Sequence, residues 1–238
     1  MLQRIRRSWH RIGPEGEPAP VAWFYSLVVA NSSFMKSFYD DVAREVATAI
    51  DRGTILDIGT GPGRLPLQLA RLLPEIKVVG LDVSRDMIRA AARTAEKEGM
   101  SARVSFVNED AANLPFDDAS FDLVVSTASL HHWKNPLRIL NEAHRVLKQE
   151  KEAWIYDIRT DLPQLMRGKL RGCGCGLIMS YLVSTGVSAH SGLSLAELKA
   201  ILDNGAGRFR QYQLAGTWNS GPFLKITLSK DSASPSSG

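Results

Sequence analysis

Short apolar runs of strand length alternate from residue 54 with longer segments whose apolar residues recur every three or four positions. Residues 55–58, 77–81, 104–107, 121–126 and 153–156 read as strands. Between them, residues 64–73 read as a helix stopped by Pro74. A second helix spans 84–98, capped by Ser84 and followed by Gly99, and a third runs 136–148 behind Asn135. In that third helix Leu137, Leu140, His144 and Leu147 are expected on one face. A further helix precedes this array over 34–51, with Phe34, Phe38, Val42, Val46 and Ile50 on one stripe. Beyond residue 193 the rhythm changes. A helix over 194–203 gives way to two runs, 209–217 and 222–228, that read as a hairpin turning at Asn219-Ser220-Gly221. Strand–helix alternation predicts an α/β fold with a mostly parallel sheet covered on both faces and an antiparallel end.

The first strand ends in a glycine-rich turn, Asp57-Ile-Gly-Thr-Gly-Pro-Gly63, with a helix immediately behind it. Glycines there permit positive φ and close approach of a ligand to main-chain N–H groups at a helix N-terminus. That is a nucleotide-type site. The dinucleotide spacing G-x-G-x-x-G fails, since the sixth position is Arg64 counted from Gly59 and Pro66 counted from Gly61. A phosphate-binding P-loop fails as well, because no Gly-Lys-Ser/Thr follows. The remaining alternative is a turn that serves structure alone.

Ligands of open α/β sheets lie beyond the carboxyl ends of the strands. The chain places Asp57, Asp82 and Asp110 at or near three such ends. Asp82 stands where a carboxylate accepts both ribose hydroxyls, and Asp110 where one meets an adenine amino group. Each alone reads equally well as a cap or turn residue; the three in order beside a glycine turn do not.

Composition narrows the class without changing it. At 238 residues, 44% apolar and 23% charged, the chain suits one decorated α/β domain, and a net charge of +4 does not point to nucleic acid. Arg4, Arg6, Arg7 and Arg11 form the one basic concentration; it reads as a solvated terminus, with an anionic surface or RNA as the other reading. Cys173 and Cys175 make neither a zinc site nor a disulfide framework, which agrees with a reducing cytoplasm and no metal. The apolar runs 21–30 and 176–187 are too short to span a bilayer, and the first begins too late for a signal peptide.

Taken in order, the glycine turn, Gly80-Leu-Asp-Val-Ser84, Asp110-Ala-Ala-Asn-Leu-Pro-Phe116, Ser120-Phe-Asp-Leu-Val-Val-Ser126, Leu130-His-His-Trp133 and Asn141-Glu-Ala-His-Arg-Val-Leu-Lys148 resemble the signature of class I S-adenosylmethionine-dependent methyltransferases. The likeness covers residues 35–160 and is greatest to the branch that methylates small molecules, including quinone precursors. It implies a Rossmann-like sheet of seven strands with the last antiparallel, and S-adenosyl-L-methionine as cofactor. By position, Gly59, Thr60 and Gly61 would face the cofactor's methionine and ribose, and Asp57 would hold its amino group directly or through water. Asp82 would bind the ribose, with Val83 and Met87 packed on the adenine. Asp110 and Ala111 would read the adenine edge, Ser126 would lie beside the methionine, and Tyr39 would approach its carboxylate. One departure stands out: Lys148-Gln149-Glu150-Lys151 replaces the usual Lys-Pro-Gly-Gly, so an altered loop is expected there, away from the cofactor end.

Methyl transfer from a sulfonium needs alignment more than a nucleophile. His131 and His132, just past the fourth strand, are the candidate bases or substrate contacts, and their other reading is as loop and capping residues. The apolar segments 23–35 and 162–190 are expected either to cover a small hydrophobic or aromatic acceptor or simply to cover the sheet. The expected organisation is an extension over 1–33, a catalytic domain over 34–230 with 162–190 as a lid, and a polar tail over 231–238. An RNA methyltransferase and a non-catalytic cofactor binder are the two other classes the sequence leaves open.

Overall fold

The computed structural model describes residues 33–158, 195–205, 208–209, 211–216 and 223–231. The basic extension up to residue 32, both cysteines, the candidate lid 162–190, the hairpin tip at Asn219-Ser220-Gly221 and the tail from 232 lie outside the described residues.

Helix α1 (Ser33–Ala49) leads into strand β1 (Arg52–Ile58), followed by α2 (Arg64–Leu72), β2 (Glu75–Asp82), α3 (Arg85–Lys97), β3 (Val104–Asn108) and β4 (Phe121–Thr127). A short 3-10 turn (Leu130–His132) precedes α4 (Pro136–Val146), β5 (Leu147–Ile158), α5 (Leu195–Gly205), β6 (Gln211–Gly216) and β7 (Phe223–Ser229). The strands form one seven-stranded sheet in the order β3-β2-β1-β4-β5-β7-β6. β1 to β5 pair in parallel, while β7 runs antiparallel between β5 and β6. The α/β expectation and the antiparallel hairpin both hold.

Each face of the sheet is apolar. On one, Phe38, Val42 and Val46 of α1 and Leu65 and Leu69 of α2 pack on Ile55, Val78 and Val125. On the other, Ile139, Leu140, Ala143 and Val146 of α4 and Leu198 and Leu202 of α5 cover Leu56, Leu81, Val124 and Ile226. Phe38, Val42, Val46 and Ile50 of the α1 stripe are therefore as expected. The α4 face holds in part: Leu140 and Leu147 are buried, the latter already within β5, but Leu137 is 40% exposed and the helix also buries Ile139 and Ala143. Asn135 caps α4 as expected, accepting from the Arg138 N–H at 3.1 Å.

The irregularity expected at residues 148–151 is present, as a bulge within β5. Phe121 pairs with Leu147 but Leu123 pairs with Glu152, so residues 148–151 bulge out of the ladder. Glu150 takes φ 58, a left-handed conformation that glycine adopts at no cost.

Candidate functional site

β1 lies at the centre of the parallel strands, with β2 on one side and β4 on the other. Chain order reverses there, which opens a crevice at the carboxyl ends of these strands. The turn Gly59–Gly63 fills its floor. Gly59, Gly61 and Gly63 all have positive φ, and the N–H groups of Gly59 and Thr60 donate to the Leu81 carbonyl at 2.8 and 3.0 Å. Those bonds bend the chain away from β1 and leave Gly61 facing open space, with nothing within 4 Å of where a Cβ would stand.

Asp57 is wholly buried beneath the turn. Its Oδ2 accepts from the Thr60 hydroxyl at 2.7 Å, whereas its Oδ1 has no hydrogen-bond partner among the described residues. Burial raises its pKa to about 7; the Thr60 bond opposes that rise and the nearby Asp82 charge adds to it. Thr60 therefore commits its hydroxyl hydrogen to the turn. Asp82, at the end of β2, accepts from the Gly61 N–H and the Ser84 N–H, each at 2.8 Å. Burial raises its pKa also, against those two bonds. A carboxylate has about four acceptor positions, so two remain for ribose hydroxyls.

Val83 follows with half its surface exposed, and Met87 is part-buried on the first turn of α3. Both suit an apolar wall. Asp110 lies exposed beyond β3, its Oδ1 accepting from the Ala112 N–H at 2.8 Å, with part-buried Ala111 packed towards the core between them. Tyr39 packs with Ala128 against the cluster on the α1 side, its ring 5.4 Å from that of Phe38.

The β4 side is more crowded than the sequence suggests. Ser126 is buried, its hydroxyl 2.7 Å from that of Ser129. His131, on the 3-10 turn, is gripped twice by Asp157 at the end of β5: its N–H donates to Oδ2 at 2.9 Å and its Nδ1 lies 2.6 Å from Oδ1. Both side chains are almost entirely buried. The His132 ring lies tilted against that of His131, centroids 4.0 Å apart, and the residue as a whole is exposed. The protein packed round it, with His131 next, lowers its pKa to about 4, against a raising effect of Asp157. The two histidines are thus unequal, and only His131 has an orienting carboxylate among the contacts described.

Asp157 and Ser129 are the residues that sequence reasoning missed. Asp157 follows an apolar strand, and the rule that picked Asp57, Asp82 and Asp110 applies to it as well. Ser129 had no such signal.

A family model for a methyltransferase domain matches residues 51–215. The chain belongs to that methyltransferase-domain family. Demethylmenaquinone methyltransferase of Porphyromonas gingivalis is 34% identical over 106 residues, which cover 44% of this chain and 43% of that protein. The 2-phytyl-1,4-naphtoquinone methyltransferase of Nostoc punctiforme is 35% identical over 129 residues, or 53% of this chain and 56% of that protein. The chain spans about half the length of the curated relatives it matches. Among solved structures, the plantazolicin methyltransferase BpumL in complex with SAH aligns over 96% of this chain and 94% of its own, with TM-score 0.67 and 17% identity. A SAM-dependent methyltransferase from Aquifex aeolicus covers 79% of this chain and 88% of its own, with TM-score 0.59 and 20% identity. At these identities the likeness is one of fold.

The cofactor of the family is S-adenosylmethionine, and the residues of this methyltransferase domain fit it. The unpartnered Asp57 Oδ1 suits an ammonium, the open space at Gly61 suits a ligand lying on the backbone, and Asp82 retains lone pairs for a ribose. Among the described residues, no helix is long and apolar enough to cross a membrane.

Proposed function

We propose that this protein moves a methyl group from S-adenosylmethionine to a small hydrophobic or aromatic acceptor that loses a proton in the reaction, a hydroxyl or an acidic carbon. The observation that carries this reading is the buried His131–Asp157 pair at the ends of β4 and β5. When bound, the cofactor supplies an activated methyl group on a sulfonium. The chain's own part is to bind, orient and remove a proton.

Asp57, Gly59, Gly61, Asp82, Val83, Met87, Asp110 and Ala111 hold the donor, the backbone of Thr60 and the side chain of Ser126 flank its methionine, and Tyr39 approaches from α1. On the acceptor side, Asp157 holds His131 through both its backbone N–H and its ring Nδ1, which fixes the direction of the imidazole that would take the acceptor's proton. Such a base contributes about 10²–10⁴ in rate. His132, pressed towards its neutral form, shapes the site beside it. The quinone-directed names of the relatives support an acceptor of that size and polarity. A chain with only two cysteines supports a cytoplasmic setting.

The test is direct. The protein is incubated with S-adenosylmethionine and, separately, reduced naphthoquinones, simple phenols and bulk RNA, and release of S-adenosylhomocysteine is followed. Turnover is expected with the first two groups. His131→Ala should cut it by at least about 100-fold, with S-adenosylhomocysteine affinity unchanged. Turnover on RNA alone, or full activity in His131→Ala, would overturn the assignment.

A further inference from the structure

Ser129 receives more bonds than a loop serine needs. Its Oγ lies 2.7 Å from Ser126 Oγ, donates to the Ile58 carbonyl at 3.2 Å, and accepts from the Trp133 indole N–H at 3.1 Å. An indole nitrogen only donates and a carbonyl only accepts, while a hydroxyl offers one hydrogen and two lone pairs. The Ser129 hydrogen therefore goes to Ile58, one lone pair takes the indole N–H, and the other takes the hydrogen of Ser126. The hydroxyl is saturated and its direction is fixed.

The same residue touches both halves of the site. A Cβ on Gly59 would come within 2.5 Å of Ser129 Cβ and Oγ, so the side chain rests directly on the cofactor turn. Its carbonyl accepts from the His132 N–H at 2.9 Å and so opens the short turn that carries His131. Ala128, just before it, is held at φ 52 while its N–H donates to Tyr156 at 2.7 Å. A non-glycine residue pays conformational strain there, so the surrounding bonds must over-determine where Ser129 sits.

We propose that Ser129 is a positioning residue that locks the cofactor turn to the acceptor-side turn, with Trp133 fixing the direction of its hydrogen. This rests on the assignment of S-adenosylmethionine to the glycine turn. An occupant of that turn shifts Ile58 and Gly59, and Ser129 passes the shift to Trp133 and to the segment holding His131. Coupling of this kind is reciprocal, so whatever steadies the His131 turn also tightens the donor site.

The experiment follows the indole N–H resonance of Trp133, identified by its loss in Trp133→Phe, during titration with S-adenosylhomocysteine, while calorimetry gives the affinity. In the wild-type protein the resonance is expected to shift on saturation. Ser129→Ala should bind roughly tenfold more weakly, the worth of one buried hydrogen bond, and its Trp133 resonance should no longer respond. Trp133→Phe, which keeps the packing ring, should weaken binding in the same direction but by less, and carries the test if Ser129→Ala does not fold. Affinity unchanged in both variants, or an indole shift that persists without the Ser129 hydroxyl, would overturn the proposal and leave the donor assignment standing. A wild-type protein that binds no S-adenosylhomocysteine would overturn both.

Discussion

In the free protein, Asp57 has one oxygen bonded to Thr60 and the other bonded to nothing described, in a position without solvent. Burial has raised its pKa from 3.8 to about 7, so below that pH the folded protein holds a proton that the unfolded chain has released. Relative to an Asp57→Asn variant, stability should therefore fall as pH rises from about 4 to about 7 and then level off. Affinity for the cofactor should move the other way. An ammonium favours the carboxylate, so binding must expel the proton below pH 7 and should weaken by up to tenfold per pH unit there. Calorimetry in two buffers of different ionisation enthalpy reads the released proton directly; none released at pH 6 would show that Asp57 does not face the cation. Glu150 offers a simpler residue-scale test. Its left-handed φ is one that glycine adopts freely, so Glu150→Gly should stabilise the fold by about 0.5–1 kcal/mol, seen as a small rise in Tm. S-adenosylhomocysteine affinity should not change, because the bulge lies at the start of β5, away from the glycine turn. The acidic residues at the strand ends were legible because position alone gives them meaning. Ser129 was not, since its importance lies in three partners at sequence distances of 3, 4 and 71, and no periodicity encodes that.

At the level of elements, α4 does more than cover the sheet. Arg145 donates to the carbonyls of Phe116 and Leu114 at 2.7 and 2.9 Å, and pairs with Glu142 and Asp118. Glu142 in turn accepts from the Leu114 N–H, and Arg138 donates to the Ala112 carbonyl at 2.7 Å. These side chains fasten the segment 110–118, whose first residues are assigned to the adenine edge. Arg145→Ala should cost about 1–3 kcal/mol, as expected for losing charge-assisted bonds to main-chain carbonyls, and should weaken S-adenosylhomocysteine binding by loosening that segment. A melting curve with and without ligand separates the two effects; lower stability with unchanged affinity would mean that the adenine side is held by other groups. The sequence made the existence and order of these elements plain, because continuous apolar runs and capped amphipathic runs differ in period. It misplaced one edge of the α4 face. Leu140 and Leu147 are buried and His144 packs edge-on to Phe209, as expected, but Leu137 fits the same helical stripe on paper and is exposed, while Ile139 and Ala143 are buried.

For the whole molecule, the site's position in the sheet sets what binding should do to stability. The glycine turn connects β1 to α2, Asp82 ends β2, and Ser126 and Ser129 stand at the end of β4, so a ligand there braces the three central strands of one continuous sheet. The apolar layers on both faces also pass through these strands. Unfolding of the core must therefore release the ligand, and binding should raise the global transition itself. At a ligand concentration of 100 times Kd, the added stability is about 2.7 kcal/mol. For a chain of 238 residues, that corresponds to a Tm increase of about 5–10 °C. S-adenosylhomocysteine should produce this shift in thermal denaturation, and Asp82→Ala should remove most of it at the same concentration. NAD should produce none, because the turn has no glycine at the sixth position of the dinucleotide spacing. A shift with NAD equal to that with S-adenosylhomocysteine would mean that the turn recognises adenosine alone. The methionine-side roles proposed for Asp57 and Ser126 would then fall.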